Sequence, residues 1–179
     1  DGSTYIDATD VCKYDLSGGT TVECWIKTSN LYQSIWACNN SAGKNNYILF
    51  SQTDGHLLIA QQMPDGTTQD LHFGNSAILQ AGWNHVAVSV GSDANHTVSI
   101  YLNGALKGTG NGIDSPFPYG SKLSLGQEWD GTTPSDFYTG QMDEFRVWNK
   151  VLTLAEIQAN MNKTLTGAES GRSEERRVG

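Results

Sequence analysis

Charge is in short supply along this chain. Lys, Arg, Asp and Glu make up 17% of its 179 residues, against the ~25% usual for globular domains, whereas Gly, Ser, Thr and Asn are abundant. That is the balance of an all-β domain with many turns. Arginine is nearly missing, Arg146 being the only one before residue 172. The net charge of −8 argues against nonspecific binding to nucleic acid or an anionic membrane, which needs a basic face. No apolar run approaches the ~20 residues of a membrane-spanning helix, so no membrane insertion is expected. No cleavable leader is visible, and the opening Asp1-Gly2-Ser3-Thr4-Tyr5-Ile6 reads as partway into a strand, as in a mature, trimmed or excised chain.

Cysteine is rare as well. Cys12, Cys24 and Cys38 all lie in the first quarter, so any bridge staples only the N-terminal strands. The odd count leaves one thiol over or paired outside the chain, and one disulfide involving Cys24 is expected. No Gly-x-Ser-x-Gly elbow, phosphate loop or Cys–His arrangement is present. His56, His72 and His96 fall in or near turns and form no cluster. His85, directly after Trp83-Asn84, has no second ligand at metal spacing and reads as a satisfied core or edge histidine.

What the chain does have is period-two alternation, repeated. Thr21–Lys27 puts Val22, Cys24 and Ile26 on one face. Ser34–Cys38, Tyr47–Gln52, Leu57–Gln62 and Gln69–Phe73 follow, with Asp54-Gly55 and Asp65-Gly66 as turns. Val86, Val88 and Val90, then Val98, Ile100 and Leu102, alternate cleanly, and Asn103-Gly104 closes a hairpin onto Ala105–Gly108. Lys122–Leu125 and Gln141–Trp148 complete a set of short strands that means a two-sheet antiparallel sandwich rather than a parallel sheet. Trp25, Trp36 and Trp148 are assigned to its core. One short C-terminal helix begins at the capping box Thr153-Leu154-Ala155-Glu156, with Leu154, Ile157 and Met161 on its apolar side. Residues 1–166 read as one domain. Residues 167–179 hold the remaining arginines (Arg172, Arg176 and Arg177) among acids and have no apolar period, so they read as a disordered or non-native tail.

One constellation carries chemistry. Glu128 and Asp130 stand at i and i+2 on a loop with Trp129 between them, and two such carboxylates can converge on Ca²⁺, which takes oxygen ligands in irregular geometry. Trp129 offers an amphipathic platform for a sugar ring. The bland reading of the same residues is an acidic Asp-Gly turn. Asn39, Asn95 and Asn162 are N-glycosylation sequons, which permit secretion without establishing it.

Taken together, GWNHVAVSV, VSIYLNGALKG, LSLGQ and GQMDEFRVWNKVLTLAEI resemble the laminin-G-like and pentraxin-like domains of the concanavalin-A-like lectin/glucanase superfamily. The resemblance covers nearly all of residues 1–165 and implies a jelly-roll sandwich, usually in secreted or cell-surface proteins. Gly126-Gln127-Glu128-Trp129-Asp130 is similar to the pentraxin calcium loop Gly-Gln-Glu-x-Asp. By that similarity Glu128 and Asp130 supply carboxylates and Trp129 a backbone carbonyl, with Gln127 beside them. The remainder of the loop is shorter than the family's, and Asp136 is its only acid. Asn45-Asn46 stands where the family has Asp-Asn, and the lost charge lowers the expected affinity. The family's disulfide would join Cys24 to the position of Ala87 and cannot form. Asp143, next to Glu144, lies where related sandwiches hold a second, structural calcium.

Glycoside hydrolases of this fold carry a third acid just after such a pair. Here Glu128-Trp129-Asp130 runs into Gly131-Thr132-Thr133, so no catalysis is expected. The expected function is a non-catalytic extracellular or cell-surface recognition or adhesion module. It would bind a glycan or protein ligand with Ca²⁺, Trp129 or Tyr138 covering an apolar face of the ligand. The alternative is a structural subunit of a filament, matrix or surface layer, self-associating through sandwich edges and the odd cysteine.

Overall fold

The computed structural model describes residues 4–13, 16–39, 45–63, 65–73, 77, 79–113, 122–165 and 172–176. In chain order the elements are β1 (Ile6–Asp7), a 3-10 helix (Thr9–Lys13), β2 (Thr20–Lys27), β3 (Gln33–Asn39), β4 (Asn45–Ser51), β5 (Leu57–Gln62), β6 (Thr68–His72) and β7 (Asn84–Val90). Then come β8 (Val98–Leu102), β9 (Ala105–Gly110), β10 (Lys122–Leu125), β11 (Glu128–Asp130), β12 (Thr133–Ser135), β13 (Gln141–Trp148), α1 (Leu154–Asn160) and β14 (Arg172–Arg176). Two six-stranded sheets result, ordered β1-β10-β3-β4-β5-β6 and β14-β13-β2-β7-β8-β9, with β11 and β12 forming a separate hairpin. Neighbouring strands pair antiparallel. The all-β sandwich read from the alternation is the fold.

Alternation explains what faces inward. Val22, Cys24 and Ile26 of β2, Val86, Val88 and Val90 of β7, and Phe145 and Val147 of β13 share one core with Trp36, Leu49, Ile59, Leu123 and Leu125 of the other sheet. The turn between β8 and β9 carries Asn103 at φ 52° and Gly104 at φ 71°. Two consecutive positive φ values are what a two-residue hairpin of primed type demands, which is why Asn-Gly stands there.

The opposite face of the second sheet is also dry. α1 and residues 161–165 lie on that face, so Ala87, Tyr101, Trp148, Leu152, Ile157 and Leu165 form a second apolar cluster. Trp148 therefore packs there rather than between the sheets. The helix starts as its capping box requires: Thr153 Oγ1 accepts from the Glu156 N–H at 3.2 Å, and Glu156 Oε2 accepts from the Thr153 N–H at 2.8 Å. Leu154, assigned to the apolar side, is 40% exposed instead, leaving Ile157 as the buried anchor. Thr153→Ala should cost about 1 kcal/mol, read as a shift in the urea midpoint without a change in slope.

Beneath that cover lies a charged network that the alternation gives no reason to expect. Glu23 is fully buried, and its Oε1 accepts from Arg146 Nη1 at 3.3 Å and from Trp148 Nε1 at 3.1 Å. His85 Nε2 lies 3.4 Å from the other carboxylate oxygen. Arg146 also donates to Glu144 Oε2 at 2.7 Å, to the Asn160 carbonyl at 2.9 Å and to the Lys163 carbonyl. Burial pushes the Glu23 carboxyl up, but His85 and the Arg146 guanidinium outweigh it and hold the group below the usual range. The stabilisation is thus complete above the ordinary glutamate value of ~4.3 and is lost as pH falls through the lowered folded value. Thermal melts should show a steep loss of stability below that range, blunted in Glu23→Gln.

Three expectations change. Cys12, Cys24 and Cys38 are all buried as thiols, and no disulfide links them. The residue facing Cys24 is Val86, with Ala87 opposite Glu23 on the outer face; a slip of one residue exchanges the faces of a strand. Residues 172–176, where composition suggests no element, run antiparallel to β13 as β14. Backbone groups on a sheet edge pair without regard to side chains, so composition alone misses such a strand.

Candidate functional site

Glu128 and Asp130 sit on a hairpin rather than on a loop. β11 pairs with β12 in the register Glu128↔Ser135 and Asp130↔Thr133. Gly131, at φ 65°, takes the first turn position, which a side chain would strain. Residues two apart on a strand share a face, so the i, i+2 spacing does place both carboxylates on one side of the hairpin. Asp136 follows β12 directly, at φ 47°.

The electrostatics are those of crowded like charges. Glu128 is only 8% exposed and accepts from Ser135 Oγ at 3.1 Å. Burial and then the charges of Asp130 and Asp136 raise its carboxyl above the ordinary range. Burial and Asp130 do the same to Asp136. Next to Glu128, the Gln127 side chain is fully buried with neither Oε1 nor Nε2 hydrogen-bonded. An unpaired buried amide costs free energy, and so does a desolvated carboxylate beside two others. A hard cation would relieve the carboxylate repulsion. Among the described residues, however, no three His, Cys, Asp or Glu side chains close into a cation-holding cluster. What the hairpin offers a cation is two carboxylates on one side, Glu128 and Asp130, with Asp136 adding negative charge nearby. The side chains of Asn45 and Asn46 lie outside the described residues, although β11 packs beside the strand they open.

The two aromatic candidates are placed otherwise than expected. Trp129 is half-buried, with Tyr5 edge-on at 5.7 Å and Lys122 Nζ 5.0 Å from the ring centroid, so its surface is already engaged. Tyr138 is buried, its hydroxyl donating to the Gln141 carbonyl at 3.3 Å. Burial and the neighbouring Cys24 push its phenol pKa upward. A residue in the core covers no ligand.

Asp143 opens a β-bulge in β13, where pairing with β2 shifts register between Asp143 and Arg146. Its Oδ1 accepts from the Glu144 N–H at 2.8 Å, and Glu144 stands at φ 51°. Of the sequons, Asn95 and Asn162 are exposed, whereas Asn39 is buried at the end of β3. Asn39 closes a strand in the middle of a sheet, which is why it is not available on the surface.

Sequence reasoning missed a cleft of about 400 Å³ beside that bulge, lined by Trp25, Trp83, Asp143, Glu144 and residues 161–164. The signal was in the chain: Trp83 lies just outside an apolar run and outside its alternation.

A family profile for laminin G domains, described as the concanavalin A-like lectin/glucanases superfamily, matches residues 1–158. No curated protein matches. Among solved structures, a heptameric SAP-like pentraxin from Limulus polyphemus superposes with a TM-score of 0.62 at 22% identity, covering 79% of this chain and 68% of that one. A putative carbohydrate binding protein from Bacteroides ovatus gives 0.67 at 20% identity, over 89% of this chain and 45% of that one. The CBM40 of the Ruminococcus gnavus IT-sialidase, bound to α2,3 sialyllactose, gives 0.60 at 20% identity, over 79% and 82%.

Proposed function

From the premise that this chain belongs to the concanavalin A-like lectin/glucanases superfamily, we propose that it is a non-catalytic, extracellular recognition module for glycans. The β11–β12 hairpin would serve as a calcium-assisted site. The observation that carries the reading is the crowding of Glu128, Asp130 and Asp136 at one rim, with Glu128 nearly buried. Proteins of known carbohydrate ligand on the same fold, such as the sialyllactose-bound CBM40, add support.

The chain's residues divide the work. Glu128 and Asp130 hold the ion, Gln127 and the Trp129 carbonyl stand next to them, and Asp136 adds negative potential. Ca²⁺, when bound, supplies open positions for ligand hydroxyl or carboxylate oxygens. With few protein carboxylates on one side, affinity should fall in the ~10⁻⁴–10⁻³ M range of extracellular calcium modules. Calorimetric titration of chelator-stripped protein with Ca²⁺ tests this: heat should appear in the parent and vanish in Glu128→Ala/Asp130→Ala. Equal binding by both proteins would remove the hairpin from consideration.

Assembly is a second reading, favoured by Leu106, 49% exposed on the edge strand β9. Light scattering at high concentration with and without Ca²⁺ separates the two, because a subunit of a filament or matrix polymerises and a lone recognition module stays monomeric.

A further inference from the structure

Trp83 keeps 42% of its surface exposed at the point where the chain enters β7. So large an indole left in water costs free energy unless something covers it. The cleft it borders lies at the end of the second sheet, away from the β11–β12 hairpin in the chain's pairing scheme. Its volume, about 400 Å³, falls within the range of small-molecule sites.

Both walls are fixed by buried groups. Trp25 Nε1 donates to the Met161 carbonyl at 2.7 Å, and its ring meets His85 edge-on at 5.3 Å. On the other side, Arg146 grips the Asn160 and Lys163 carbonyls and the Glu144 carboxylate while itself resting on Glu23. The positive φ of Glu144 is strain held at the bulge by those contacts. A site with its walls already set loses little entropy when a ligand arrives.

Charge selects the class of ligand. Glu144 is neutralised by Arg146, and Asp143 and Lys163 bring one charge of each sign to the lining. A strongly cationic or anionic ligand would meet a like charge in either case. What the cleft presents is indole surface plus a carboxylate oxygen, an amide and a hydroxyl from Asp143, Asn162 and Thr164. Asp143 spends Oδ1 on the Glu144 N–H and keeps Oδ2 for an outside donor. An apolar ring face beside hydroxyl-matching groups is the complement of a sugar ring.

We propose that this cleft is a calcium-independent binding site for a neutral pyranose oligosaccharide. Trp83 stacks on one ring, and Asp143 and Asn162 take its hydroxyls. The assignment rests on the reading of the chain as a glycan-recognition module, but not on calcium or the hairpin. Asn162 is also a sequon, so a glycan attached there would stand at the rim and obstruct the cleft.

The test uses the full chain made in a host that does not N-glycosylate. It is titrated calorimetrically in excess chelator with cellohexaose, xylohexaose and mannohexaose, with 3′-sialyllactose as the anionic probe and choline as the cationic one. At least one neutral hexaose should bind at sub-millimolar concentration and quench tryptophan fluorescence. Trp83→Ala, at an exposed position that leaves folding intact, should weaken binding about tenfold or more, as loss of a central aromatic contact does, and Asp143→Asn should weaken it less. Glu128→Ala/Asp130→Ala should bind as the parent does. The proposal is overturned if no neutral hexaose binds at millimolar concentration, if only sialyllactose or choline binds, or if Trp83→Ala binds unchanged. Binding that needs Ca²⁺ and is lost in the hairpin variant overturns it while leaving the calcium site standing. Chelator-resistant binding beside a calorimetrically silent hairpin does the reverse.

Discussion

Arg146→Ala should destabilise the domain by about 3–5 kcal/mol, the usual result of removing one partner from a buried ion pair. For a chain of this size each kcal/mol moves the melting temperature by roughly 2–4 °C, so a fall on the order of 10 °C is expected. The loss is not the worth of one salt bridge. Glu23 would keep its charge in a fully buried position with only Trp148 Nε1 donating to it and His85 nearby. The Asn160 and Lys163 carbonyls would lose the donor that fastens them to the sheet. The double variant Glu23→Gln/Arg146→Met should recover part of the loss, because it removes the stranded charge. A fall smaller than ~1 kcal/mol in Arg146→Ala would show that the network behaves as an exposed pair and that α1 is held by apolar contact alone.

Glu128→Gln should act with opposite signs in the presence and absence of calcium. In chelator it should raise the melting temperature, since it removes one of three mutually repelling carboxylates, the one most buried. In the parent, saturating Ca²⁺ at about a hundred times its dissociation constant should add ~2.7 kcal/mol, several degrees in melting temperature. In Glu128→Gln that addition should largely disappear. Scanning calorimetry of both proteins in chelator and in calcium gives four melting temperatures. A variant less stable than the parent in chelator, or equally stabilised by the ion, contradicts a repulsive rim relieved by a cation.

Glu128 and Asp130 declare themselves by their spacing, whereas Glu23 and Arg146 carry no local sign of their role. Glu128 and Asp130 are two apart, and on the strand β11 that spacing puts them on one face. The strands and the Asn103-Gly104 turn were equally legible, because alternation and turn chemistry are local. Glu23 was not. Its neighbours Val22 and Cys24 mark the core face, which by alternation hands Glu23 to solvent. Burial there comes from α1 and residues 161–165, more than a hundred positions away. Tyr138 failed for the same reason, since an aromatic residue in a polar-looking segment carries no local sign of which way it turns. The edge position of β14 and the cleft at Trp83 arise only when distant segments meet.

The three thiols give this domain an internal clock. Cys24 is buried and its thiol is pushed up to about 12, by burial first and by the charge of Glu23 second. Its thiolate, the form that reacts with alkylating reagents, is therefore almost absent until the sheets part. Cys12 sits on the 3-10 helix near the start of the chain, and a hydrogen bond from the Cys38 thiol lowers its pKa despite burial. Mass-resolved alkylation should accordingly record two times on one molecule. Cys12 is tagged when the N-terminal segment lifts, and Cys24 only when the whole sandwich opens, so the interval between them measures how far the edge breathes without the centre following.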